Sequence, residues 1–103
     1  VTLATFSFEP PSEAEDVPVP TTLEEAVDTL IRGMPLDYRK RFMEIPRERL
    51  LGQTHMSLGM SIRNGWQLGD KHSPLMRQFP GKQPDDVSDI IIEAVWTRLQ
   101  QQR

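Results

Sequence analysis

The stretch of the 103-residue chain richest in chemical groups runs from His55 to Leu68, HMSLGMSIRNGWQL. At helical spacing His55, Gly59 and Arg63 fall four residues apart on nearly one line. A glycine between a histidine and an arginine leaves an open floor with a polar group at each end. Arg63 offers a planar donor fork suited to a carboxylate or a phosphate. Asn64 adds an amide, and Trp66 supplies a flat apolar wall. One reading is a pocket for a small ligand or nucleotide, enzymatic or not. The other is structural: Gly59 marks a helix crossing, His55 and Trp66 belong to the core, and Arg63 pairs with Asp85 or Asp86. The two readings predict different surroundings for Arg63, a cleft or a buried ion pair.

Other polar groups offer less. Asp85 and Asp86 form an acid pair, but at the start of a helix they read more simply, Asp85 as the N-cap and Asp86 as a charge favouring the positive end. Asp70-Lys71-His72 holds two metal-ligand types with no third at a convincing distance, so no metal site is expected. The chain has no cysteine, which excludes disulfides, zinc-thiolate sites and thiol catalysis. Ser57 and Ser61 stand near His55, but helix positions do not create a strained, exposed nucleophile. No glycine-rich phosphate loop is present. No catalytic residue is assigned and no cofactor is expected.

Charge is unevenly placed. Residues 1–31 hold seven acids and no Lys or Arg, whereas residues 32–103 hold twelve bases and eight acids. Arg39, Lys40, Arg41, Arg47 and Arg49 form a basic cluster able to meet phosphates, diluted by Glu44 and Glu48. The acidic pI of about 5.3 argues against a dedicated nucleic-acid binder. So does the absence of aromatics interleaved through the cluster.

These groups must be positioned by helices. Residues 1–21 carry Pro10, Pro11, Pro18 and Pro20 among acids and small residues. The expectation there is an extended, largely disordered arm, because such a segment cannot bury enough surface to offset its ordering entropy. Phe6 and Phe8, with the period of a strand face, are its candidate partner contacts. Thr22-Leu23-Glu24-Glu25 reads as a capping box opening a helix that stops at Gly33 and Pro35. A second helix spans about 36–44, with Tyr38 and Phe42 on one face. A third runs from Arg47 to about Asn64, with Leu51, His55, Leu58, Gly59 and Ile62 sharing a face; Gly52 and Gly59 are its weak points. After a loop over 65–73 comes a short turn from Ser73 or Pro74 to Phe79. The last helix starts at Asp85 or Asp86 and runs to about Gln101. Its stripe is broad enough to pack against more than one neighbour. The fold class is therefore all-α: an irregular bundle of four to five helices over residues 22–101, with an acidic arm over 1–21.

The string from His55 to Leu68, followed by PDDVSDIII at Pro84 to Ile92, resembles a family of small bacterial domains of unknown function. That family's pattern is a His-x3-Gly-x2-Ile-Arg-Asn-x-Trp block and a later Pro-Asp-x-x-Ser-x-Ile-Ile block. The resemblance covers about Thr21 to Leu99. Gly65 stands where the family often has Asn. The resemblance implies that His55, Arg63, Asn64, Trp66 and Asp85 belong to one constellation, and leaves open whether it binds or holds the fold.

The function expected from these observations is a small, non-enzymatic protein-interaction module, such as an adaptor or inhibitor of a bacterial or mobile-element system. Its contacts would be the acidic arm, the basic face of the second helix, or both, and its partner another protein. No apolar run approaches the ~20 residues needed to cross a bilayer, and no basic, apolar leader opens the sequence. The expected setting is cytoplasmic, without a membrane.

Overall fold

A computed structural model describes residues 19–70 and 73–102 of the chain. The expected arm contacts Phe6 and Phe8, the disorder expected of residues 1–18, and His72 all lie outside the described residues. Within them, all regular structure is helical.

Helix α1, Leu23–Gly33, begins at Thr22, whose hydroxyl accepts the Glu25 amide at 3.1 Å. The capping box is displaced by one residue. Glu25 does not return to the cap's own amide; its carboxylate accepts from the Thr21 N–H at 3.0 Å and the Thr21 hydroxyl at 3.1 Å. Ahead of the cap, Pro20 is buried and Val19 packs against the core. Helix α2, Leu36–Glu44, follows a tight corner at Met34-Pro35. Tyr38 and Phe42 stack one turn apart, ring centroids 6.2 Å, both fully buried.

Residues 47–65 form one continuous rod in three parts: α3 (Arg47–Thr54), a π turn (His55–Gly59) and α4 (Met60–Gly65). The sequence predicts plain α-helix here. The π turn takes more residues per revolution than an α turn, so a spacing of four stays nearly aligned across it. The buried line is accordingly Leu50, Thr54, Leu58 and Ile62, rather than the expected line through Leu51 and His55, which are half-buried. The Thr54 hydroxyl donates back to the Leu50 carbonyl at 2.8 Å, a bond that commonly bends helices.

Helix α5, Pro74–Arg77, is a single turn capped by Ser73. Helix α6, Pro84–Gln101, is the longest and lies at the centre. It starts earlier than expected: the N-cap is Gln83, Pro84 takes the first helical position, and the Asp86 carboxylate accepts the Gln83 N–H at 3.2 Å. Neither aspartate is the cap. Counting the rod once, the described residues form five helices, all-α as expected.

Helix α6 holds the bundle by burying Val87, Ile91, Ile92, Val95 and Leu99 against α1, α2 and the rod. Its side chains also satisfy helix ends that would otherwise carry orphan carbonyls. The Trp96 indole N–H donates to the Ile45 carbonyl at 3.1 Å and the Gln100 amide to the Met43 carbonyl at 2.8 Å, closing the end of α2. Arg39 does the same for α1, donating to the Ile31 carbonyl at 2.9 Å. On the surface, Arg98 of α6 pairs with Asp28 and Glu24 of α1. The rod runs antiparallel to α6: Arg47 sits near Glu93 at one end, and Arg63 meets Asp85 and Ser88 at the other.

Candidate functional site

The Arg63 side chain joins the π turn to α6. The Arg63 Nη2 donates to the backbone carbonyl of His55 at 3.1 Å. Its Nη1 donates to the Ser88 hydroxyl of α6 at 3.0 Å, and the Ser88 hydroxyl in turn donates to the Asp85 backbone carbonyl at 2.9 Å. Its Nε stands 3.3 Å from the Asp85 carboxylate. Each nitrogen of the guanidinium is thus engaged, and the side chain is only 14% exposed.

These contacts do not weigh equally. The Asp85 side chain is 63% exposed, so that ion pair is screened by water and contributes little. The bonds to Ser88, which is fully buried, and to the His55 carbonyl are both partly buried. Hydrogen bonds from a charged donor in such surroundings contribute about 1.5–3 kcal/mol. Ser88 is therefore central to the arrangement. It belongs to the PDDVSDIII string, and Asp85, Ser88 and Ile92 recur at helical spacing on one face. The resemblance block includes it, but its role could not be read locally, because its partner lies 25 residues away.

Gly59 is what lets the guanidinium sit there. A Cβ on Gly59 would stand 3.0 Å from Arg63 Nη1, 3.2 Å from the Thr54 carbonyl oxygen and 3.7 Å from the Ile92 side chain. The glycine is thus both the bed of the arginine and the point where α6 crosses the rod.

Asp89 lies one turn along α6 from Asp85 and was not singled out by its spacing. Its Oδ1 is inaccessible and has no hydrogen-bond partner among the described residues. Burial pushes its carboxyl above the usual carboxylate range; His55 and Arg63 pull it back, while Asp85 and Asp86 push the same way as burial. Trp66 is buried in the core, its indole N–H likewise without a partner among the described residues. Asn64 is exposed and takes no part, and Asp86 is committed to the cap of α6. So the geometry brings together His55, Gly59, Arg63, Asp85, Ser88 and Asp89, and separates Asn64, Trp66 and Asp86 from them.

The family profile of a domain of unknown function, DUF6794, matches residues 19–99. The chain is a member of the DUF6794 family. The match begins at Val19, the first described residue and one that packs against the core, and ends at Leu99, the last buried residue of α6. The DUF6794 domain is thus the whole helical body. No curated protein and no solved structure matches the chain.

Elsewhere in the DUF6794 body, the basic cluster is not one surface. Lys40, Arg47 and Arg49 are exposed, whereas Arg39 and Arg41 are half-buried. A shallow groove of 310 Å³ lies between the turn after Trp66 and the loop before α6, over Leu68, Met76 and Phe79, with Arg77 and Lys82 among its lining residues. No group of three metal-ligating side chains occurs among the described residues. No described helix is long and apolar enough to cross a membrane.

Proposed function

We propose that this DUF6794 domain is a non-enzymatic protein-interaction module, an adaptor or inhibitor, whose docking face is the outer side of the rod. The observation that carries the reading is the exposure of Met56 (68%) and Met60 (36%), one turn apart on that side. Arg49 and Gln53 continue the same exposed line toward the rod's start. Methionine is unbranched and polarizable, and serves surfaces that adapt to a partner. The engagement of every Arg63 nitrogen supports the same reading, since a donor fork already used inside the fold is not free to recognise a ligand. A bacterial setting, expected from the resemblance, and a protein partner belong to this proposal.

The test is affinity capture from host lysate with the wild-type chain, a Met56→Glu/Met60→Glu variant, and a Lys82→Glu control on the groove. The reading expects specific partners lost only with the methionine pair. Partners retained by that variant, or lost equally in the control, contradict it.

A further inference from the structure

We infer that the outer face of the rod is the contact of a two-fold dimer, covered in the isolated protein by the same face of a second copy running antiparallel. The inference rests on the reading above in placing the docking face there. It deepens that reading by naming an occupant that any other partner must displace.

Charge points to this occupant first. Between Arg49 and Asp70 the sequence holds a single Lys, Arg, Asp or Glu, namely Arg63, in a chain that is 26% charged. Arg63 is turned inward, onto Ser88 and the His55 carbonyl. The exposed line Gln53, Met56, Met60 and Asn64 is therefore uncharged. Other helices differ: α1 exposes Glu24, Glu25, Asp28 and Arg32, and α2 exposes Asp37, Lys40 and Glu44. A two-fold axis lays a patch against itself, so charge near the axis meets its like. The rod's outer face is free of that repulsion.

Register comes next. With the axis level with Leu58, positions equally far on either side of it face each other in an antiparallel pair. Met56 of one copy then lies beside Met60 of the second copy, and Arg49 beside Gln67, a neutral amide. Gln53 falls within one residue of Asn64, and two side-chain amides can each donate to and accept from the other. A side chain at a helix–helix seam enters the hollow between four residues of the facing helix. For Met56 that hollow lies between Ser57, Met60, Ser61 and Asn64 of the second copy. The two serines are short and half-buried, which leaves room for the flexible thioether.

Hydrogen bonding agrees with burial of this face. A covered hydroxyl without a partner would oppose association. The Ser57 hydroxyl already donates back along its own helix, with the Gln53 and Thr54 carbonyls each at 3.4 Å. Closing the face over it strands no donor.

The contact is one helix wide, which makes the dimer a weak and exchanging one. Sedimentation equilibrium of the full-length chain at about 0.1 mM is expected to give a mass approaching twice the 11.8 kDa of one copy, in low and high salt alike. Met56→Glu/Met60→Glu, which brings carboxylates of both copies together at the axis, is expected to give the mass of one copy with helix content unchanged. Because the chain has no cysteine, Met56→Cys and Met60→Cys each place one thiol on the face. When the two variants are mixed in equal amounts and mildly oxidised, the 56-to-60 disulfide should exceed the half share that random pairing gives. A wild-type chain with the mass of one copy overturns the inference, as does a dimer that survives Met56→Glu/Met60→Glu or a 56-to-60 share of half or less. Lysate capture is scored on other proteins. A monomer that still captures them through the methionines removes this inference and keeps the reading above, and a dimer that captures none does the reverse.

Discussion

At the scale of single residues, two glycines of the rod, the exposed Gly52 and the buried Gly59, behave oppositely. A Cβ on Gly52 meets nothing within 4 Å, so Gly52→Ala gains helix propensity and is predicted to stabilise the body by up to ~1 kcal/mol. At Gly59 the same gain is offset by contacts with Arg63 Nη1 at 3.0 Å and the Thr54 carbonyl at 3.2 Å, one of them backbone. Gly59→Ala is predicted to destabilise. Thermal or urea unfolding of the two variants side by side checks this; a stabilised Gly59→Ala would contradict the described bed for Arg63. Tyr38, the single tyrosine, gives a second residue-scale measurement. Burial pushes its phenol up to about 12 from 10.0. The folded pKa is raised, so the stabilisation is fully present below pH ~10 and is lost as pH rises through 12. Phenolate absorbance should titrate with a midpoint near 12 while the protein stays folded. A midpoint near 10 in the folded chain would show that Tyr38 is solvated.

At the scale of elements, the seam between the rod and α6 carries the most consequential irregularity. Asp89 places on that seam a carboxylate oxygen that has no hydrogen-bond partner among the described residues, and its pKa is raised by burial, with Asp85 and Asp86 adding to it and His55 and Arg63 opposing. A raised carboxyl pKa favours the neutral form in the folded state, so stability from this group is present below its unfolded pKa and lost as pH rises through the folded one. Asp89→Asn is therefore predicted to raise the melting temperature at pH 7, with the gain shrinking as pH falls into the carboxylate range. A lower melting temperature at pH 7 would mean that attraction to His55 and Arg63 outweighs burial.

Element boundaries also show what the sequence could reveal. Thr22, Gly33, Pro35 and Pro46 are local signals with local causes, and α1 and α2 follow from them. The start of α6 was misplaced because two aspartates are better caps than glutamine; Pro84 at the first helical position decides for Gln83. The π turn left no periodic trace, since the buried Leu50, Thr54, Leu58 and Ile62 keep a spacing of four across it. His55, Gly59 and Arg63 were legible as one line from their spacing, whereas Asp85 entered only beside Asp86 as an alternative partner for Arg63, or through the resemblance. Ser88 and Asp89 were not legible, because their role exists only once α6 packs on the rod.

On the scale of the whole molecule, the DUF6794 body is a bundle fastened around one long helix, with its conspicuous polar group turned inward and two methionines left outside. Met56→Glu/Met60→Glu, which changes only exposed side chains, should leave unfolding within about 0.5 kcal/mol of wild type. The central claim is that Arg63 holds the rod to α6. The most direct test is equilibrium urea unfolding of Arg63→Ala beside Asn64→Ala, its exposed neighbour. Loss of the bonds to Ser88 and the His55 carbonyl predicts a destabilisation of about 3 kcal/mol for Arg63→Ala and almost none for Asn64→Ala. An Arg63→Ala protein as stable as wild type would contradict the account and return Arg63 to the role of a free recognition group.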